Sequence, residues 1–114
     1  MAFTFRYTEL RYGESEWTGP EGVTIFGELV SGEMGLGDKI AMPLRSGGHF
    51  EGEILRFTET FEGWTGLPFY QKLSTSSISG PFCIEVYRRP EPDDILVPGI
   101  ASLGDGTLLA RSCI

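Results

Sequence analysis

The amino-acid sequence predicts a small all-β domain, a closed or nearly closed Greek-key barrel of six to seven short strands. Several runs alternate between apolar and polar residues, which is the period of a strand with one buried face. Glycine is abundant, with 16 among 114 residues, and it separates these runs at points that favour turns. No long stretch has the apolar stripe of a helix. A chain of this length fits one domain, residues 1–114.

The first half of the chain supplies three of the predicted strands. Ala2–Leu10 alternates and places three aromatic residues on one side. Val23–Ser31 is rich in β-branched residues and is interrupted by Gly27, which indicates a bulge or a tight bend of the kind that barrels need. We predict a turn over residues 32–37, where GEMGLG stands, and a further strand over Asp38–Leu44.

The second half is less regular. Phe50–Phe61 alternates and predicts a long strand, and the apolar run Phe82–Arg89 predicts another. Between them lies a long connector whose FYQKL stretch predicts a short strand or one helical turn. Residues 90–100 carry three prolines and predict a short 3₁₀ turn followed by an extended segment. Thr107–Ile114 is predicted to be a closing strand.

Charge and cysteine content exclude several classes of protein. The formal net charge is -7, so the chain repels nucleic-acid phosphates, and unaided RNA or DNA binding is disfavoured. The two cysteines, Cys83 and Cys113, form neither a disulfide framework nor a zinc-ligand spacing. The sequence shows neither a secretory signal pattern nor a long apolar run, so we expect a cytoplasmic protein with no membrane partner.

The stretch around Gly32 nearly spells a phosphate-binding loop. Gly32 and Gly37 have the required separation, but Asp38 stands where the loop needs lysine, and Lys39 comes one place late. The residues that follow alternate at the period of a strand, whereas a phosphate loop leads into a helix. We therefore interpret these glycines as structural, with Gly32 in a tight turn and Gly37 at positive φ. Asp38 is expected to accept hydrogen bonds from the turn amides.

The order of these residues also resembles a known family. The glycines Gly27, Gly32 and Gly37 are each separated by four residues, and Asp38 and the alternating apolar residues Ile40, Met42 and Leu44 follow. This arrangement is similar to the second domain of elongation factor Tu and the other translational GTPases. In this chain Met34 falls one place beyond the family's first apolar position, and Leu36 stands where the family usually has valine.

Four later segments continue the resemblance in the family's order. FEGEILRF (Phe50–Phe57) resembles the next strand, and FYQKLSTSSISG (Phe69–Gly80) resembles the segment before the family's Ala-Gly-Asp turn. FCIEVYRR (Phe82–Arg89) stands for the following apolar strand. PDDILVPGIAS (Pro92–Ser102) resembles the last segment, with one extra residue between its Asp-Ile pair and its glycine.

The resemblance covers about residues 22–102 and is interrupted by an insertion, TETFEGWTGLP, at residues 58–68. It implies the barrel fold. In that family the domain has no catalysis of its own, and it contacts the GTPase domain and, in translation factors, tRNA or ribosomal RNA. This chain holds none of the nucleotide-binding motifs, so the resemblance implies a stand-alone barrel that serves as a binding module.

Two groups of side chains are candidates for an interaction surface. The insertion and its flank carry four aromatic residues, Phe61, Trp64, Phe69 and Tyr70, which serve either as interface anchors or as a cover for one mouth of the barrel. Arg88 and Arg89 form the one basic pair and could meet a carboxylate or a phosphate.

Signals of catalysis are weak. His49 is the only histidine and is expected in a surface turn. Glu51 and Glu53 are expected to share one solvent-exposed face of a strand. One histidine and two distant cysteines do not make a transition-metal site. We predict no catalytic residue, no cofactor and no metal.

Three functions follow, in order of preference. The first is a non-enzymatic module that binds another protein, as an inhibitor, an immunity-type protein or an adaptor. The second is a translation-associated factor that contacts tRNA or the ribosome, for which Arg6, Arg11, Arg88 and Arg89 are the basic residues available. The third is a small enzyme that uses His49 and acidic neighbours. The oligomeric state stays open, because an exposed strand edge could pair with a second copy.

Overall fold

The computed structural model of the chain describes residues 2–13, 22–58, 72–76, 80–87 and 94–104. These residues form strands and turns and no helix, so none of them crosses a membrane as a helix. The strands are β1 (Phe3–Tyr12), β2 (Gly22–Gly35), β3 (Lys39–Pro43), β4 (His49–Thr58), β5 (Lys72–Ser74), β6 (Phe82–Tyr87) and β7 (Gly99–Leu103).

Six of the strands close into a barrel. Each pairs with two neighbours in the ring β1-β7-β3-β4-β6-β2, and β1 pairs with β2 to complete it. All pairings are antiparallel. β7 returns through a long connection to lie between β1 and β3, an order typical of a Greek key. The predicted class, an all-β closed barrel, is confirmed, and β5 is an additional short strand on the end of β2.

The barrel interior is filled by alternate residues of every strand in the ring. β1 contributes Phe3, Phe5 and Tyr7 as predicted, and β6 contributes Phe82, Ile84 and Val86. The rings of Phe5 and Phe57 both meet that of Phe82 edge to face, a favoured geometry for aromatic pairs. The residues between these core positions therefore point to the outside of the barrel.

Gly27 marks an irregularity, as its position inside a strand predicts. It pairs with Tyr7, and the β1–β2 register shifts immediately afterwards, between Tyr7 and Glu9. A Cβ atom on Gly27 would come within 2.1 Å of the carbonyl oxygen of Arg6. No larger residue fits so close to a neighbouring backbone, so this glycine allows β1 and β2 to approach and bend together.

The turn predicted over residues 32–37 is shorter than expected. β2 continues to Gly35, and Leu36 and Gly37 form the turn. Gly32 therefore lies inside the strand and not in a tight turn, with φ of 83° and its α-carbon facing the backbone of Ala2 and Phe3. This conformation lets β2 pass the start of β1 and pair with β5 beyond it.

Gly37 and Asp38 complete this connection. Gly37 has φ of 88° and donates its backbone N–H to the carbonyl of Ile54. The Asp38 carboxylate accepts a hydrogen bond from the backbone N–H of Gly35 at 2.8 Å. β3 follows directly, and a phosphate loop would need a helix at this place. The resemblance to such a loop therefore arises from a β-turn.

The last strand of the ring lies earlier than the predicted closing strand. β7 occupies Gly99–Leu103, and Ala101 is its buried residue. The predicted extended segment ends at residue 100 and covers only the first two residues of this strand. The FYQKL stretch contributes Lys72 and Leu73 to β5, so its strand alternative is the correct one. The predicted strand Thr107–Ile114 lies outside the described residues.

Candidate binding groove

None of the six residues predicted for an interaction surface can be placed. Phe61, Trp64, Phe69, Tyr70, Arg88 and Arg89 lie outside the described residues. The described part of the chain offers a different candidate, a groove of about 380 Å³ on the outer surface of the barrel. We call it the β3 groove. Its lining residues are Ala41, Pro43, Gly48, His49, Ile100, Ser102, Leu103 and Gly104.

The groove follows from the residue sizes on three adjacent strands. β3 is the central strand, and its outward positions carry the small residues Ala41 and Pro43, since Ile40 and Met42 fill the core. On one side Pro43 pairs with His49 of β4, and on the other Ala41 pairs with Ser102 of β7. The short side chains of β3 lie between His49 on one side and Ile100 and Leu103 on the other, which leaves a depression along β3.

The β3–β4 turn shapes one end of the groove. Gly47 and Gly48 both have positive φ, at 101° and 74°, which lets the chain reverse directly before His49. The turn is held from the other side by residues 94–96. Arg45 donates its backbone N–H to the Asp94 carbonyl at 2.8 Å, and the Ser46 hydroxyl lies 2.6 Å from the Asp94 carboxylate.

Tyr7 fixes the segment that leads into β7. Its hydroxyl donates a hydrogen bond to the carbonyl of Leu96, and its ring lies against Gly99, where a Cβ atom would come within 2.4 Å of the hydroxyl oxygen. Burial, with a smaller contribution from Tyr12, raises the pKa of Tyr7 to about 12. The groove wall formed by β7 is therefore attached to the barrel core through a neutral, buried phenol.

His49 lies at the groove beside a carboxylate. Its side chain is 52% exposed, and Nε2 is 3.7 Å from Oε2 of Glu51, whose side chain is fully buried. The expectation that Glu51 shares a solvent-exposed face with Glu53 is therefore wrong. Both point outward from β4, but Gly104 lies directly on Glu51, and a Cβ atom there would come within 2.5 Å of Oε1.

This arrangement lacks the geometry of a catalytic triad. Ser102 is the hydroxyl on the opposite wall, and β3 separates its strand from that of His49. Two strand spacings are about 10 Å, whereas a nucleophile and its base lie within about 3 Å. Among the described residues, no group of three His, Cys, Asp or Glu side chains could hold a metal ion.

The groove is suited to an apolar group. Ile100 is 56% exposed and Leu103 37% exposed at its β7 wall. The volume lies near the lower end of the range of about 300–1,000 Å³ for small-molecule and cofactor sites, which are mostly apolar with a few polar groups. Here the polar groups are the His49 imidazole and the Ser102 hydroxyl. Of all the lining residues, sequence reasoning singled out His49 alone.

The outer surface of β2, β6 and β4 has the opposite character, and we call it the β6 face. The name refers to the outward residues Thr24, Arg56, Thr58, Cys83 and Glu85, which pair across the three strands. Phe26 and Tyr87 also face outward beside them, and Tyr87 is 40% exposed. The Arg56 Nε atom lies 3.3 Å from Oε2 of Glu85, with only 15% and 1% of the two side chains exposed. Burial raises the pKa of Cys83 to about 11.

The ring of six strands defines a class of domain. It is a barrel resembling the second domain of elongation factor Tu and other translational GTPases, as the glycine spacing predicts. No protein-family model and no curated protein sequence matches the chain.

Solved structures do match the chain, over nearly its whole length. GDP-bound aIF5B from Aeropyrum pernix has a TM-score of 0.64 and 12% identity over 99% of this chain. The S. cerevisiae Ski7 GTPase-like domain bound to GDP and inorganic phosphate has a TM-score of 0.62 and 11% identity over 92%. The chain spans only 18% of the aIF5B chain and 23% of the Ski7 chain. At these identities the likeness establishes the fold.

Proposed function

We propose that the protein is a non-enzymatic, translation-factor-type barrel that binds another protein, with the β3 groove as its contact site. The main support for this proposal is that the wall of the groove is apolar and exposed, above all at Ile100. Exposed apolar residues around a depression, with polar groups beside them, are typical of sites that bind a partner. The adaptor, inhibitor and immunity-type roles all use such a surface, and the protein would act in the cytoplasm.

Charge favours a protein partner over a nucleic acid. The chain carries a net charge of -7, and nucleic-acid affinity depends on lysine and arginine contacts to phosphate. In the described strands, four of these cations already face carboxylates, and one of them is Lys72, which lies 3.7 Å from Glu33. Arg11 lies 3.0 Å from Glu9, Lys39 lies 3.0 Å from Glu53, and Arg56 pairs with Glu85.

A translation-associated role is the second candidate, and the likeness to aIF5B and Ski7 favours it. In this role the barrel would contact tRNA or the ribosome. A small enzyme built on His49 and Glu51 is a third candidate. The position of Ser102 two strands away argues against a serine nucleophile, so His49 would have to act on a bound substrate directly.

The test compares two matched substitutions of exposed apolar residues. Ile100→Glu places a charge on the groove wall, and Leu55→Glu places one at a similarly exposed site on β4, six residues beyond His49. Each variant and the unchanged chain are immobilised and exposed to cytosol from the native source. We expect a protein that is retained by the unchanged chain and by Leu55→Glu and is lost with Ile100→Glu.

Three results would contradict the proposal. Equal retention by both variants would remove the groove as the contact site. A shift of labelled tRNA or ribosomal RNA at low salt, weakened as salt rises, would favour the second candidate. A reaction that depends on His49 would favour the third, and His49→Gln is the variant that detects it.

A further inference from the structure

We propose that the partner segment bound in the β3 groove is acidic, with one apolar residue for the depression and a carboxylate on each side of it. This inference rests on the proposed function and names the chemistry of the partner. It is based on two arginines, Arg6 and Arg45, and on their positions beside the groove.

These two arginines differ from the other cations of the described residues. The described residues include six lysine and arginine side chains, and four of them face carboxylates, namely Arg11, Lys39, Arg56 and Lys72. Arg6 and Arg45 are the two described cations that remain, and both are exposed. An arginine presents five N–H donors in a planar fork that matches a carboxylate, so both are available to an acidic partner.

The strand register places Arg6 beside the apolar wall of the groove. Arg6 of β1 pairs with Ile100 of β7. Because Phe5 and Tyr7 point into the core, Arg6 points outward, on the same face as Ile100. Side chains that pair in this way have Cβ atoms about 4.5–5.5 Å apart. The Arg6 guanidinium is therefore within reach of a group seated against Ile100.

His49 and Arg45 lie on the other side of the depression. The register of β3 and β7 places Pro43 level with Ile100, and Pro43 pairs with His49 of β4. Arg45 is the first residue of the turn that follows β3 and precedes His49. A row of side chains therefore crosses four strands, with Arg6 at one end, Ile100 and Pro43 in the middle, and His49 and Arg45 at the other end.

The length of this row indicates the spacing of the charges on the partner. Three strand spacings separate β1 from β4, about 14 Å across the strands. In an extended segment, residues four positions apart lie about 13 Å from each other and face the same side, and the residue midway between them also faces that side. The long arginine and glutamate side chains bridge the extra distance that the curvature of the barrel adds. A segment with the pattern acidic-x-apolar-x-acidic therefore fits the row.

The carboxylates near the row leave the two arginines available. Glu51 is buried beside His49, and the Asp94 carboxylate lies 2.6 Å from the Ser46 hydroxyl. Glu28 of β2 stands opposite Arg6 in the strand register but forms no ion pair with it. The net charge of -7 repels an acidic partner at long range. Salt at physiological strength screens such charges beyond about 8 Å, so the contacts within the groove decide the preference.

The test uses the full chain and two synthetic peptides. The acidic peptide is Gly-Glu-Ser-Leu-Ser-Glu-Gly with both termini blocked, and in the control peptide lysine replaces the two glutamates. The methyl signals of Ile100 are followed by NMR at physiological salt while each peptide is added. We expect the acidic peptide to shift these signals to saturation and the lysine peptide to leave them in place.

Substitutions in the chain then locate the charges that matter. Arg6→Gln and Arg45→Gln should each weaken binding of the acidic peptide about two- to fivefold, the effect of one exposed charge pair. Arg11→Gln is the matched control, because it removes the same charge from β1 at a site that already faces Glu9, and it should leave the affinity unchanged. Glu28→Gln should strengthen binding, since it removes the carboxylate that competes for Arg6.

Four results would overturn the inference. They are equal shifts with the two peptides, no shift with the acidic peptide at millimolar concentration, an affinity that neither Arg6→Gln nor Arg45→Gln lowers, and a larger shift with a short oligouridylate, which would identify a nucleic acid as the ligand.

The proposed function fails separately from this inference. If cytosol yields a protein that is lost with Ile100→Glu but retained by both arginine variants, the groove binds a protein and the inferred chemistry is wrong. If the acidic peptide binds as expected but no protein is retained from cytosol, the proposed function fails and the charge preference of the groove stands.

Discussion

The β3 groove and the β6 face are outer surfaces of the same barrel with opposite arrangements of polarity. In the groove, the apolar residues Ile100 and Leu103 are exposed. On the β6 face, Glu85, Thr58 and Thr24 are buried. Folding alone favours burial of apolar residues, and it favours exposure of charged residues unless they are paired. The buried polar residues of the β6 face therefore have a structural role, whereas the groove is a surface that the fold leaves available.

The largest effect on the free energy of unfolding should come from neutralising Glu85. Glu85→Gln removes the buried charge that faces the Arg56 side chain at 3.3 Å, and breaking a buried ion pair costs about 3–5 kcal/mol. We expect a loss of about 3 kcal/mol of unfolding free energy, near the low end of that range, because Arg56 keeps some contact with water. Urea unfolding followed by circular dichroism measures it.

Glu53→Gln is the matched control on the groove side. Glu53 pairs with Lys39 at 3.0 Å, but the two side chains are 42% and 31% exposed. Pairs of this kind contribute about 1 kcal/mol or less. If the two variants lowered stability equally, the buried ion pair of the β6 face would contribute no more than the exposed pair.

Thiol reactivity distinguishes the two surfaces in a second way. With Cys113→Ser, Cys83 is the only thiol in the chain. Burial raises its pKa from 9.0 to about 11, so its thiolate fraction at pH 8 falls about 100-fold, and its reaction with a maleimide slows at least as much. A cysteine introduced by Ser102→Cys in the groove should react at an ordinary rate. Fast labelling of Cys83 in the native chain would contradict its burial.

A substitution at Tyr7 tests how firmly the β7 wall of the groove is attached to the barrel core. Tyr7→Phe removes the hydrogen bond to the Leu96 carbonyl, and we expect a loss of about 1 kcal/mol at neutral pH. The pKa of Tyr7, about 12, lies above its ordinary value of 10.0. Its stabilising contribution is therefore complete below pH 10 and is lost as the pH rises toward 12. Between these values the unchanged chain should lose more stability than Tyr7→Phe, and parallel losses would contradict the assignment.

Local sequence patterns are sufficient to predict the core of the barrel. The alternation of Phe3, Phe5 and Tyr7 predicts their burial, and the Gly37-Asp38 pair predicts a turn ahead of a strand. β7 is missed because only Ala101 of its five residues is buried, Pro98 directly precedes it and Gly99 begins it, so neither alternation nor β-propensity marks it.

The groove could not be predicted from local patterns. It depends on the short side chains of Ala41 and Pro43. It also depends on the pairing of β3 with β7, which lies far along the chain, and no local signal encodes the register of that pairing. The sequence predicts His49 beside acidic residues, but it does not predict the burial of the Glu51 carboxylate, which depends on Gly104 from far along the chain. The aromatic and arginine surface stays a prediction.

The smallest effect on stability should come from Ile100. Because this side chain is more than half exposed, Ile100→Thr, which keeps a β-branched residue in the strand, should change the unfolding free energy by less than about 0.5 kcal/mol. Ile84→Thr, the matched change in the core, should cost at least about 2 kcal/mol, because it buries a hydroxyl and removes a methyl group from a packed site. A large loss at Ile100 would show that this isoleucine supports the fold. A negligible loss of unfolding free energy, together with a loss of partner retention, would mean that this isoleucine serves binding and not stability.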